Sequence, residues 1–514
     1  MGLFKRTVSV ADNAESLLDK TLYKVPGTDT PITWADAVEG TLITGATGSG
    51  KSSGPGRHIA LAMLRAGFGF CVLCAKPDEK DRWVKYAQGT GREKDVVIFN
   101  KASGLQFNFL QYEIQRQGEG AGDIFNVNNA LMNLNEQNRQ YQSGGSGHNE
   151  ERFWDNSLRR LISRDIAMLI LAGEEVSIQN MRKVVADSLV EEEAKLYHYL
   201  VQTINAPDHI DPQKRKDAMQ ELEEWTAFNY FLQVMTKVQS VETETEEQQQ
   251  EVWLLEDYWL KEFARLSERS RSIVVESFMG IIEPFMNRGI LKSQFAKGLS
   301  DGLLPENIIA QRKIVIVDFP LKEFGLAGLF ASIIYKSVFQ GAMERRKIEK
   351  EGNPKPVCLW VDEYQNFCNP LTDSLFQTTA RSSWTATVYI TQNINNLYYI
   401  MGNNQPQARA KGLLGNLNLK YFASNADYET NRWASEMIGK HFTDIENLSF
   451  SKDMDVSKSR NQQLMPRIMP DHFTTFKTGR KENAFKVQAV AFKAGKTWGK
   501  EKQNFAIVEF DQRG

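Results

Sequence analysis

Thr41-Leu-Ile-Thr-Gly-Ala-Thr-Gly-Ser-Gly-Lys-Ser52 is the stretch on which the architecture turns. Its first four residues form a short apolar run of strand character. Gly45, Ala46, Thr47, Gly48, Ser49, Gly50, Lys51 and Ser52 then match the P-loop pattern G-x-x-x-x-G-K-[ST] at every position. Beyond them, Ile59-Ala-Leu-Ala-Met-Leu-Arg65 carries helical periodicity and stops at Gly67. Strand, glycine turn and helix are the context the motif needs. The glycines let backbone N–H groups wrap phosphate oxygens, and the helix start adds a favourable dipole. Lys51 is expected to reach the β/γ-phosphates of ATP, the Ser52 hydroxyl to ligate Mg²⁺, and Ser53 to complete the binding run. The bland alternative is a glycine-rich turn with an incidental lysine. Pro55, between Gly54 and Gly56, should delay or kink the first helical turn.

Outward from this stretch, strand and helix alternate. Phe68 to Leu73 and Asp95-Val-Val-Ile-Phe99 read as buried strands. Similar runs return at Lys313–Asp318, Val357–Asp362, Ala386–Thr391 and Leu419–Ala423, with an edge strand at Gln503–Glu509. The pattern predicts an α/β fold with a mostly parallel central sheet. Between the two groups the character becomes helical. Phe153–Leu171 is strongly amphipathic, and helical stretches follow near 178–202, 214–238 and 251–266. The expected organisation is an ATPase domain made of residues 1–110 and 312–514, interrupted by an all-helical insert at 111–311. Residues 440–514 read as mixed strand and loop without a specific role.

Composition bounds the function. In 514 residues, 41% are hydrophobic and 25% charged, which excludes a chain disordered throughout. Lys+Arg 62 against Asp+Glu 64 leaves a formal charge of -2, so no global basic field points to nucleic acid. DNA contact would have to come from local patches or from the lumen of a ring. Cys71 and Cys74 lie in an apolar run, and Cys358 and Cys368 make no second close pair, so buried thiols are expected rather than zinc. The six histidines show no metal-ligand spacing. Ile166–Ala172, which reads as the longest apolar run, is too short to span a bilayer, and Met1–Arg6 opens no signal peptide. The expected location is the cytoplasm.

A P-loop needs a carboxylate near its metal. Val357-Cys-Leu-Trp-Val-Asp362-Glu363 ends an apolar strand in two acids; Asp362 is read as the Mg²⁺ residue and Glu363 as the group that polarises water. The rival Asp318 ends another strand but is followed by Phe319-Pro320. Gln392, at the tip of the 386–391 strand, is placed to sense the γ-phosphate. Arg381 is a candidate arginine finger for a neighbouring subunit. Taken singly, a turn-capping amide and a surface arginine are the stronger readings of these two.

Together these motifs resemble the conjugative coupling ATPases of type IV secretion systems (TraG/TraD-like), within the FtsK/HerA superfamily of ring translocases. The likeness runs from about Gly40 to Gly479. Lys76 keeps the lysine of the family's D-P-K-G-E element, and Asn108 the asparagine of its F-N-P turn. Asp362-Glu363, Arg381 and Thr391-Gln392 match its acidic pair, arginine and glutamine. Gly415-Asn416, Asp427 with Thr430, and Ser435-Glu436-x-x-Gly439 follow in order. Cys74 and Ala75 stand where the family has Asp and Pro, and no N-terminal membrane helices are found. The resemblance implies a RecA-like P-loop domain, a homo-hexameric ring around double-stranded DNA, and a relaxase or other secretion-system protein as partner, with the membrane reached only through a partner. Candidate DNA contacts are Arg269, Arg271, Arg288, Lys292 and Lys297, with Phe285 and Phe295 interleaved, for which a solvated helix face is an equal reading; Gln213–Lys216 and Glu344–Lys347 read more readily as solvated helix faces. The competing readings are a substrate-receptor ATPase that docks proteins without moving DNA, and a scaffold that binds ATP and scarcely hydrolyses it.

Overall fold

The computed structural model describes residues 17–129, 131–132, 150–206, 211–243, 245–370, 372–402, 405–450, 456–500 and 502–513. The chain divides into two compact units, one of residues up to Asn100 with Gly302 onward, the other Lys101–Asp301. The split falls about ten residues before the expected boundaries at both ends. The cause at the return is the helix Pro305–Ala310, whose Ile308 backbone packs against the strand at Gly69 and so belongs to the sheet unit.

The strands of the sheet unit are β1 (Thr21–Lys24), β2 (Pro31–Thr33), β3 (Thr41–Thr44), β4 (Gly69–Leu73), β5 (Val96–Phe99), β6 (Ile314–Val317), β7 (Val357–Val361), β8 (Thr385–Thr391), β9 (Leu419–Ala423), β10 (Lys440–Phe450), β11 (Val456–Pro466), β12 (Lys486–Lys493) and β13 (Phe505–Asp511). Nine form one sheet in the order β13-β12-β9-β3-β8-β7-β4-β6-β5. From β9 to β5 all pairings are parallel, while β12 and β13 are antiparallel. Buried on both faces, the inner strands β3, β4, β6, β7 and β8 read as near-continuous apolar runs without alternation. The main core joins Ile43, Phe70, Val72, Trp83, Trp360 and Ile390; a second, around Phe422, Ile468, Phe473 and Val490, supports the end of the chain. The four cysteines are buried and free.

Three features escaped the sequence reading. The hairpin β1–β2 leads into the helix Trp34–Val38, fixed by a reciprocal cap in which Thr33 and Asp36 each accept the other's backbone N–H. Among the described residues β10 and β11 pair only with each other, as a long hairpin. The helix Leu321–Glu344 corrects the expectation about apolar length: it is long and apolar enough to cross a membrane, but 78% of its apolar window is buried in the fold, and Lys336 within it is ion-paired to Asp373 at 2.7 Å.

The second unit is helical. Each expected stretch after Glu150–Leu171 resolves into two segments: Ile178–Ala186 and Glu191–Asn205, Pro212–Phe228 and Tyr230–Gln239, Glu246–Glu256 and the π-turn Asp257–Phe263. Asn229 marks one break, its Oδ1 accepting the Leu232 N–H as an N-cap. The proposed DNA cluster is corrected here. Phe285 and Phe295 are core residues. Arg271 donates to the carbonyls of Ser188 and Leu189 at 2.6 and 2.9 Å and stacks on Phe263. Arg269, Arg288, Lys292 and Lys297 remain exposed.

Candidate active site

Register brings the motifs together. Thr44 pairs with Thr391, Val361 with Tyr389, and Leu73 with Val361. The carboxyl ends of β3, β8, β7 and β4 therefore deliver the glycine loop, Gln392, Asp362-Glu363 and Lys76 to one edge of the sheet, where ligands of open α/β sheets bind.

The loop has the backbone its motif requires. Gly48 and Gly50 have φ of 81 and 82°, in the left-handed region. A Cβ at Gly45 would lie 2.5 Å from Ser49 Oγ. Ala46 N donates to Ser424 O at 2.9 Å, tying the loop to the end of β9, and Ser49 N donates to Ala46 O at 3.0 Å. Thr47 stands exposed beside Gly48. The expected irregularity at Pro55 is a π-turn over Ser52–Gly56. Proline has no N–H for the Lys51 carbonyl, and Gly56 N takes it at 3.0 Å.

Ser52 Oγ donates to Asp362 Oδ2 at 2.7 Å. Glu363 lies in the left-handed region at φ 52°. Its Oε1 accepts from Lys76 Nζ at 2.5 Å and faces Lys51 Nζ at 3.7 Å. Its Oε2 accepts from the amides of Gln365 at 2.8 Å and Gln392 at 3.2 Å. Burial pushes the Glu363 carboxyl upward, but the Lys76 hydrogen bond and the Lys51 charge outweigh it and hold the group at about 2. Gln365 is itself held by Thr391 Oγ at 2.8 Å.

Glu79 and Arg82 were missed. Arg82 Nη1 lies 4.0 Å from Asp362 Oδ2. Glu79 opens the helix Glu79–Gly89, and its Oε2 accepts the Ala75 N–H at 2.7 Å, while Oε1 is buried without a hydrogen-bond partner among the described residues. Burial and the nearby Asp362 push its carboxyl up to about 8. With Ser52 and Asp362 it lines a cavity of about 10 Å³. The available signal was an acid in the first helical turn after a strand exit, which reads as ordinary dipole compensation. A hydroxyl, a carboxylate and an orphaned carboxyl oxygen are hard donors, the set that suits Mg²⁺.

Two residues stand apart. Asp318 ends β6, two strands from β7, and accepts from Asn100 Nδ2 at 3.1 Å. Arg381 is exposed at the amino end of β8, with Glu39 Oε1 3.8 Å away, so it is not brought to the P-loop of its own chain. Asp427 caps the helix Tyr428–Ile438 through Thr430, and Ser435 Oγ donates to Ile468 O at 2.6 Å, so these residues hold the fold together.

Sheet, loop and insert define the class: an α/β protein with a RecA-like P-loop domain, a mostly parallel central sheet and an inserted all-α unit. Residues 356–477, which carry Asp362-Glu363, Arg381 and Gln392, match the family model TraG-D_C, described as the TraM recognition site of TraD and TraG. Among solved structures, the chain is similar to the bacterial conjugative coupling protein TrwBdeltaN70 in its unbound monoclinic form, with a TM-score of 0.55 and 14% identity over 97% of this chain and 92% of that one. It is similar to the plasmid coupling protein TrwB in complex with ADP and Mg²⁺ (TM-score 0.54, 14% identity, 97% and 92% covered) and with the ATP analogue ADPNP (0.55, 14%, 99% and 94%). No curated protein matches. The resemblance to coupling proteins read from the motifs is met by both comparisons.

Proposed function

We propose that the protein is an ATP-hydrolysing ring motor that binds and translocates double-stranded DNA in the manner of conjugative coupling proteins. The observation that carries this reading is the convergence of Ser52 on Asp362 and of Lys51, Lys76 and Gln392 on Glu363 at the mouth of a P-loop. Lys51 exchanges Glu363 for the β/γ-phosphates when nucleotide arrives. Ser52 and Asp362 would hold Mg²⁺, which supplies charge neutralisation to the phosphate oxygens. Glu363, kept ionised by its donors, orients the attacking water, and Gln392, which donates to that carboxylate, reads the γ-phosphate. Arg381 serves the site of the adjacent subunit in a homo-hexamer. The setting is the cytoplasm, with the inner membrane reached through a partner, and a relaxase or secretion-system protein is the expected protein partner.

A second reading is favoured by the description of the matched family model, which names a protein recognition site. In it, ATP gates docking of a protein substrate without DNA movement. The two separate on steady-state ATPase rates with and without double-stranded DNA, at low and moderate salt, with Glu363→Gln as the blank. Strong stimulation that salt weakens and the blank lacks supports the motor. Turnover by the assembled protein that ignores DNA sinks it and favours the receptor.

A further inference from the structure

The end of the chain, left without a role by its sequence, closes over the P-loop. A Cβ at Gly50 would meet Val487 at 2.5 Å and the Thr478 carbonyl at 3.2 Å, and one at Gly48 would lie 3.2 Å from Arg480 Nη2. Between the loop and this segment is a cavity of about 310 Å³, lined by Thr47, Gly48, Ser49, Asn425, Thr478 and Arg480 among others. That volume is at the small end of ligand sites, roughly 300 Å³ and upward. The lining offers hydroxyls, an amide and one guanidinium, and no carboxylate. It suits a polar anion.

Arg480 is set up in an unusual way. Its backbone stands at φ 63°, ψ 178°, a region nearly reserved for glycine. Gln512 holds it there: Oε1 accepts the Arg480 N–H at 2.9 Å, and Nε2 donates to Ser53 Oγ at 2.6 Å, on the helix that the P-loop opens. Gly479 leaves the room, since a Cβ there would come within 2.3 Å of Gln512. Among the described residues the Arg480 guanidinium has no ion-pair partner. The brace fixes a free cation to the loop, and such preorganisation lowers the ordering cost of binding.

We infer that this cavity is the second compartment of the nucleotide site: it takes the sugar and α-phosphate end of a nucleoside triphosphate held at Lys51, and Arg480 pairs with the α-phosphate in cis. The inference rests on the P-loop reading and adds the residue that grips what the P-loop leaves free. It also gives the two arginines different work, Arg480 within the chain and Arg381 across subunits.

Calorimetry of ADP and of ATPγS with Mg²⁺ on the full chain tests it, using wild type, Lys51→Ala, Arg480→Ala and Arg480→Gly. Both Arg480 variants should weaken ADP and ATPγS by the same factor, about ten-fold or more for a lost charge-assisted contact. Arg480→Gly should melt at or above wild type, because glycine accepts that backbone freely; weak binding by a well-folded Gly variant then assigns the loss to the side chain. ADP affinity within two-fold of wild type in both variants, with Lys51→Ala unable to bind, overturns the inference and leaves the P-loop reading standing. A loss confined to ATPγS overturns the α-phosphate assignment. Wild type that binds neither nucleotide overturns the P-loop reading and the inference with it.

Discussion

Glu363 shows how much a single residue's neighbours decide. Its sequence context, an acid after an acid at a strand end, marked it as a candidate, because strand ends and P-loops follow local rules. Lys76 and Gln392 were marked too, but not as its donors: they arrive from β4 and β8, and only the register of the sheet brings them to it. Gly69 is a harder case. Nothing around it in the sequence marks it, yet a Cβ there would lie 2.2 Å from the carbonyl oxygen of Ile308. Both atoms belong to backbone that cannot rotate away, since Gly69 is in β4 and Ile308 in the helix Pro305–Ala310. Gly69→Ala is therefore expected to destabilise the sheet unit by about 1–3 kcal/mol or more, as overpacking of a tight contact does. Denaturant melts followed by tryptophan fluorescence check this, and an unchanged midpoint would contradict the close approach.

At the scale of elements, parallel strands and the P-loop helix were legible because their apolar runs and glycine punctuation are local. The breaks inside the helical stretches were not: Asn229 and Ser188 sit in runs whose periodicity continues on either side. The hairpin β10–β11 was illegible for the opposite reason, since its polar strands pair only with each other and bury too little for an apolar pattern. One helix carries a charge that its pattern conceals. In Glu150–Leu171, Asp165 is fully buried beside Ile162, Ile166 and Leu169 in sequence, and neither carboxylate oxygen has a hydrogen-bond partner among the described residues. Burial raises its pKa well above the ordinary carboxylate value. The folded state thus binds this proton more tightly than the unfolded chain. Its contribution is fully present below the unfolded carboxyl range and is lost as pH rises toward the raised folded value, at up to about 1.4 kcal/mol per pH unit. Asp165→Asn, which has no proton to lose, should exceed wild type modestly near pH 5, already above the unfolded carboxyl range, and by clearly more near pH 8. Thermal melts at the two pH values read the difference, and a gap that does not widen with pH would count against the buried, unpaired carboxyl.

For the whole molecule the informative residue is Arg381, which the chain does not bring to its own P-loop. It stands at the amino end of β8, while Gln392 follows the carboxyl end of the same strand, Thr385–Thr391. Six residue steps at about 3.3 Å put roughly 20 Å between those ends. If Arg381 acts on transferred phosphate, it does so at the site of another copy of the chain, and in a head-to-tail ring each interface would join one subunit's Lys51 to the next subunit's Arg381. Lys51→Ala and Arg381→Ala should each lose most ATPase activity when assembled alone. Mixed and reassembled in equal amounts, they should regain about a quarter of the wild-type rate, the share of interfaces in a randomly filled head-to-tail ring that unite both intact residues. Mixed rings verified by mass spectrometry that stay inactive would remove Arg381 from the neighbouring site, and an Arg381→Ala protein that hydrolyses ATP normally by itself would return it to the ordinary surface, paired with Glu39.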